Sequence, residues 1–104
     1  MIKSFRHKGL KRLFENGERR GVAPELAARL LRQMDVLNRA RITGDVNLPG
    51  YRLHRLKGDR SGTWSISVSG NWRVTFTFEG EDAFDVDLGR LSLRMLIDAE
   101  QLVE

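Results

Sequence analysis

The chain has 104 residues, 40% of them hydrophobic and 31% charged, with a net charge of +4, two histidines and no cysteine. Disulfides and cysteine-based metal centres are therefore excluded, and a reducing cytoplasm is the expected location. No apolar run approaches the roughly 18 residues of a membrane span, and "MIKSFRHKGLKRLF" is too charged for a signal-peptide core.

This length suits one small domain with a single core. Its charge is unevenly placed. Through Arg60 there are fifteen Lys or Arg against six Asp or Glu; from Ser61 onward there are three against eight. A basic first part and an acidic remainder point to a surface that faces a polyanion, a nucleic acid or the ribosome. The plainer account is that solvated helices carry many arginines.

In chain order, Ile2–Phe5 reads as a short edge strand. Lys8–Asn16 carries Leu10, Leu13 and Phe14 at helical spacing, and Gly17 sits where a left-handed cap belongs. Pro24 suits a first helical position. From it Leu26, Leu30, Met34 and Leu37 form an apolar stripe, widened by Ala27 and Leu31, to about Ala40. "TGDVNLPG" is a loop, and beyond it the period switches to two. Tyr51–Lys57 is a less regular strand. Trp64, Ile66 and Val68 alternate with serines, and "SGN" turns the chain. Trp72, Val74, Phe76 and Phe78 then alternate with Arg73, Thr75 and Thr77. After "EGED", Phe84, Val86 and Leu88 alternate with Asp85 and Asp87. The expected class is α+β in the order β-α-α-β-β-β-β, an antiparallel meander whose greasy face two N-terminal helices cover. Its polar face is left open.

The densest polar segment is "YRLHRLKGDRSGTW", which holds Arg52, His54, Arg55, Lys57 and Arg60. RNA cleavage by the neighbouring 2′-hydroxyl needs no metal. It needs a group to take the hydroxyl proton, a group to protonate the leaving oxygen, and cations around the phosphate. His54 can perform either proton transfer near neutral pH. Lys57 and Arg73 can stabilise the phosphorane, and Arg60 can hold flanking phosphates. A lone histidine is weak evidence, and a half-exposed strand residue is the plainer account of His54. Arg73 says more, because it lies between the inward-facing Trp72 and Val74 and so projects onto the open face. Both tryptophans, in phase with Ile66 and Val74, read as core. His7 reads as a surface or backbone-contacting residue. No P-loop, dinucleotide fingerprint or Gly-x-Ser-x-Gly elbow is present, and no cofactor is implied.

The opening "MIKSFRHKGLKRLFENG", the loop "LHRLKGDRSGTWSISV" and the strand "NWRVTFTFEGEDAFDVDL" closely resemble the HigB-type killer toxins of the RelE/ParE superfamily. The resemblance runs from Met1 to Leu88 with essentially no insertion. It implies a RelE-like fold and a metal-independent, ribosome-dependent endoribonuclease that cuts messenger RNA in the 30S A site. It also implies a helix-turn-helix antitoxin of HigA type, with operator DNA bound only through the complex, and no membrane partner. By the same resemblance His54 is a proton-transfer residue, Lys57 a phosphate-side cation and Arg73 the cation at the scissile phosphate. Lys3, Arg6, His7, Lys8, Lys11 and Arg12, with Arg52, Arg55 and Arg60 near the loop, are the implied RNA or ribosome contacts.

The resemblance fails after Leu88. Family members usually close with an acidic residue and Asp-Tyr-His, whose side chains complete the active site. Here "GRLSLR" follows and the sequence continues to Glu104, without tyrosine or histidine. This divides the chain into a toxin domain, 1–88, and an atypical tail, 89–104. One coding of Gly-Arg-Leu-Ser-Leu-Arg, GGA AGA CTA TCA CTG AGA, yields Glu-Asp-Tyr-His-stop when its first base is dropped. A single-base insertion near codon 89 therefore accounts for the tail; a natural extension is the rival origin. Under either, Leu91, Leu93, Leu96, Ile97, Leu102 and Val103 are expected to form a short amphipathic helix against the sheet. Two other functions stay open: a non-catalytic module that binds antitoxin or ribosome, and a gyrase inhibitor of ParE type, which needs no His54.

Overall fold

The apolar spacings read along the chain produce two helices and a four-stranded sheet in a computed structural model that describes residues 1–56 and 62–90. Helix α1 spans Lys8–Asn16 and buries Leu10 and Leu13. His7 starts it, its Nδ1 accepting the Leu10 N–H at 3.0 Å, and Gly17 ends it in the left-handed conformation, φ 74°. Helix α2 spans Pro24–Arg39, with Pro24 in the first turn. It buries Leu26, Ala27, Leu30, Met34 and Leu37. Leu31 does not join that stripe: it is exposed on the outer side of the helix, and Gln33 is buried in the row instead. A 3₁₀ turn, Thr43–Val46, leads to the sheet.

Strands β1 (His54–Arg55), β2 (Thr63–Ser69), β3 (Trp72–Glu79) and β4 (Asp82–Arg90) pair antiparallel in that spatial order. Ile66, Val68, Val74, Phe76, Ala83 and Val86 meet the two helices in one core. The N-terminal segment lies beside β4 as parallel bridges, Ile2 with Ala83 and Phe5 with Val86, so the expected edge strand is present only as these bridges. The expected Tyr51–Lys57 strand is shorter than its pattern. Arg52 takes a left-handed conformation, φ 52°, which breaks the extended run before His54.

One alternation was misread by its period. Thr75 pairs with Asp87 and Thr77 with Phe84, so Asp85 and Val86 together oppose Phe76 alone. This bulge, with Asp85 at φ 55°, shifts the face of everything before it by one residue. Ala83 and Val86 therefore fill the core, while Phe84 moves to the open face with its partner Thr77. Ser4 holds the bulge, its Oγ accepting the Asp85 N–H at 2.8 Å. The expected C-terminal helix lies outside the described residues.

Candidate active site

The open face of the sheet can be read in rows, because directly paired residues project to the same side. One row runs His54, Ser65, Thr75, Asp87, and the next contains Ser67, Arg73 and Gly89. Small residues fill the centre of these rows: Ser65 and Thr75 are buried although they lie on the polar face. Large cationic side chains stand at the β1 end.

Arg73 is anchored rather than loose. Its Nη1 donates to Ser67 Oγ at 3.2 Å, to the Gly70 carbonyl at 3.1 Å and to the Trp72 carbonyl at 3.1 Å. Nε and Nη2 make no hydrogen bond to a described residue, so one edge of the guanidinium is fixed and its other donors remain for an anion. Burial, and then the charge of Arg52, makes the Arg73 cation somewhat easier to discharge than a free guanidinium. The group nevertheless stays charged at any physiological pH.

His54 is half-buried. Burial lowers its pKa first, and the neighbouring Arg52 and Arg73 cations lower it further. The consequence is chemical: at neutral pH the imidazole is held in its uncharged form, able to accept a proton. Arg52 thus belongs to the same cluster as His54 and Arg73, although its sequence context pointed only to a flanking contact. Its left-handed backbone turns the chain into β1 at this point. No spacing rule reveals that proximity.

The remaining candidates are distributed. Lys57 and Arg60 lie outside the described residues. Arg55 stacks over the Trp64 ring at 5.8 Å from its centre. Lys8, Lys11 and Arg12 are exposed on α1. Lys3 and Arg6 belong to the segment beside β4, at the opposite edge of the sheet from His54. Arg6 lines a small cleft of about 40 Å³ with Thr75, Thr77, Asp85 and Asp87, so carboxylates balance the positive charge there. His7 is occupied through Nδ1 as the α1 cap.

The end of β4 bears directly on the missing motif. Gly89 lies across from Arg73 and Arg90 across from Trp72, with the Arg90 guanidinium 5.4 Å above the indole centre. Where the resemblance expects the family ending, this chain therefore sets no side chain opposite Arg73 and then one more cation.

The sequence matches the family described as RelE-like toxin of type II toxin-antitoxin system HigB over residues 3–89. It is 49% identical over 84 residues to "Endoribonuclease HigB" of Proteus vulgaris, covering 81% of this chain and 91% of that protein. "Toxin HigB-1" of Vibrio cholerae serotype O1 is 30% identical over 78 residues, 73% of this chain and 82% of that one. The family match thus spans both helices and the sheet and stops at the residue facing Arg73. This chain belongs to the HigB-like, RelE-type toxins of type II toxin–antitoxin systems, whose members work against a paired antitoxin.

Proposed function

We propose that this chain is built as a ribosome-dependent messenger RNA endoribonuclease, with an active site left incomplete by its altered ending. The observation that carries the reading is a half-buried His54, its pKa lowered by burial and by the Arg52 and Arg73 cations, beside the fixed guanidinium of Arg73. Neutral His54 accepts the proton of the 2′-hydroxyl. The 2′-oxygen attacks the adjacent phosphorus, and Arg73 stabilises the charge gathering on the non-bridging oxygens. The 5′-oxygen leaves, giving a cyclic phosphate or 3′-phosphate end. Lys57 is the second phosphate-side cation of this proposal.

The leaving oxygen needs a proton, and residues 89 and 90 supply no ordinary acid. General acid–base assistance contributes about 10²- to 10⁴-fold to such reactions, so cleavage by this chain is expected to be slower by that order than by a version ending Leu88-Glu-Asp-Tyr-His. The test compares both proteins, purified, on translating ribosomes, with His54→Ala in the restored version as the reference. Equal rates for the two endings would refute the incomplete-site reading. Unimpaired cleavage by the His54→Ala reference would refute the role of His54.

The cellular setting follows from the same reading. A HigA-type antitoxin holds the toxin in check, the site of action is the 30S A site in the cytoplasm, and operator DNA is reached only through the complex. A non-catalytic role has one specific observation in its favour, the Gly89–Arg90 sequence at the register position where the motif belongs. Antitoxin capture by a chain that never cuts message would establish that role. The origin of the tail is settled by the gene: codons at 89–94 incompatible with the out-of-frame reading Glu-Asp-Tyr-His-stop exclude the insertion.

A further inference from the structure

Strand β1 is two residues long, so among the described residues the outer edge of β2 beyond Ser65 has no strand beside it. Its backbone groups are satisfied by α2 and by the loop before β1. Gln33 Nε2 donates to the Ser67 carbonyl at 2.7 Å, Arg29 Nη1 donates to the Val68 carbonyl at 2.6 Å, and the Ser67 N–H donates to the Tyr51 carbonyl at 2.6 Å. This clamp closes the sheet edge. It also leaves a cleft of about 140 Å³ between α2 and the loop, lined by Arg29, Arg32, Gln33, Pro49, Gly50 and Tyr51.

Two features of this cleft exceed what an edge clamp requires. The first is charge: Arg29 and Arg32 share a helix face at i and i+3, no described carboxylate lines the cleft, and neither arginine pairs with a described acid. Arg29 spends one donor on Val68, and Arg32 is exposed. The second is an orphan acceptor. Gln33 is 2% exposed, and its Oε1 is buried without a donor among the described residues. Such an atom favours any group that brings it a hydrogen, since a buried acceptor left unpaired is costly.

An anion beside a hydroxyl donor is the chemistry of a ribose phosphate. The location agrees. Ser67 receives Arg73 on its hydroxyl and Gln33 on its carbonyl, so one residue separates the cleft from the arginine at the scissile phosphate. Tyr51 precedes Arg52, whose charge is felt at both His54 and Arg73. We propose that the Arg29–Arg32–Gln33 cleft is an RNA subsite, in which the two arginines hold a phosphate and Gln33 Oε1 accepts the hydrogen of a neighbouring ribose hydroxyl. Gln33 Oε1 is closed to solvent, so the hydroxyl reaches it once the Gln33 side chain or the wall of the cleft moves aside. The inference deepens the endoribonuclease reading and rests on it for the identity of the polymer. The RNA is either message or ribosomal RNA.

Binding of the full chain is measured by fluorescence anisotropy with a short single-stranded RNA and its 2′-deoxy and 2′-fluoro counterparts, and by cosedimentation with ribosomes. Arg32→Ala is the test variant. Arg39→Ala is the charge-matched control, since Arg39 lies on the same helix but outside the cleft, paired with Asp35 at 3.2 Å. Arg32→Ala should weaken binding about tenfold, the order of one charge-assisted contact. It should also flatten the salt dependence by about 0.7 in log–log slope, the value for one phosphate on a single strand. The deoxy and fluoro strands, which cannot donate at the 2′ position, should bind wild type about threefold to tenfold more weakly than RNA. Loss on the free strand assigns the cleft to message, and loss on ribosomes alone assigns it to ribosomal RNA. The inference is overturned if wild type binds neither probe, if Arg32→Ala leaves both unchanged, or if Arg39→Ala falls equally. Neither readout involves cleavage. Failure of the endoribonuclease reading with this pattern intact, or loss of the pattern with cleavage intact, therefore separates the two proposals.

Discussion

The two edges of the open sheet face use similar residues to opposite ends. At the β1 edge, Arg52 and Arg73 stand around His54: burial and then Arg52 lower the proton affinity of both His54 and Arg73, and Arg73 lowers that of His54 further. At the β4 edge, the chain's N-terminal cations meet carboxylates: the Met1 ammonium lies 3.4 Å from Asp82, and Arg6 shares a cleft with Asp85 and Asp87. Among the described residues the first edge pairs its cations with no carboxylate and sets them beside a titratable group, an arrangement that suits the proposed cleavage of a phosphodiester. The second spends its charge on holding the N-terminal segment against the bulged strand. Counting basic residues along the sequence treats the two alike, but only one has the electrostatics of a site.

That contrast can be broken most forcefully at Arg73. In the chain with the restored ending, Arg73→Ala should lower cleavage by about 10²- to 10³-fold, the effect of losing a preorganised charge stabiliser, with message cleavage on translating ribosomes as the readout. A loss of less than tenfold would place the phosphate elsewhere. The scaffold edge predicts a different kind of damage: Ser4→Ala removes the acceptor of the Asp85 N–H at the bulge. It should cost about 1 kcal/mol of stability in a denaturant titration, with little change in cleavage per folded molecule.

The pH dependence sharpens the comparison further. In the proposed mechanism uncharged His54 is the reactive form, and its pKa lies below the ordinary histidine value of about 6.5. In the restored-ending chain, kcat/KM should therefore fall as pH drops through a value below 6.5, and be insensitive to this group above it. Folding stability follows the same sign. The unfolded chain binds the proton more readily, so the His54 contribution is present above the unfolded pKa and lost as pH falls through the folded one. Arg52→Gln removes a cation that lowers this pKa, so the NMR titration of His54 should move upward towards 6.5. An unchanged midpoint would detach Arg52 from the cluster. The smallest effect is expected at Asp87→Asn, which lies in the same row as His54 but three strands away. Its cleavage rate should stay within about twofold of the parent, since the amide of asparagine can still accept the Leu88 N–H that Asp87 Oδ1 accepts at 2.9 Å.

Much of the scaffold was legible because local rules were not contradicted by packing. The α1 range, its Gly17 cap and the Pro24 start of α2 follow from short-range sterics and hydrogen bonding, and the folded chain leaves them in place. The period of two marked β2 and β3 because one face of each is truly buried. Phe84 and Leu31 show where the same reasoning stops. A single extra residue in β4 reverses the facing of Phe84 and Ala83, and period counting cannot detect a bulge stabilised by Ser4 from 81 residues away. Leu31 is exposed and Gln33 buried because α2 turns Gln33 towards the outer edge of β2, where its amide donates to the Ser67 carbonyl as no leucine can.

The sequence by itself determined the family and the order of elements, and it put His54 and Arg73 forward as site candidates. Motif identity, helical spacing and strand alternation are properties of neighbouring residues and survive without coordinates. Only the tertiary structure decided which charges act together. It brought Arg52 to His54 and Arg73, set Arg6 against aspartates, and joined Arg29, Arg32 and Gln33 to the outer edge of β2. It also placed Gly89 opposite Arg73, so the position where the resemblance expects the family ending carries no side chain across from that guanidinium. The physical reason is that electrostatic coupling and hydrogen-bond satisfaction depend on distance in space. Strand pairing and helix docking set those distances between residues that lie far apart in the chain.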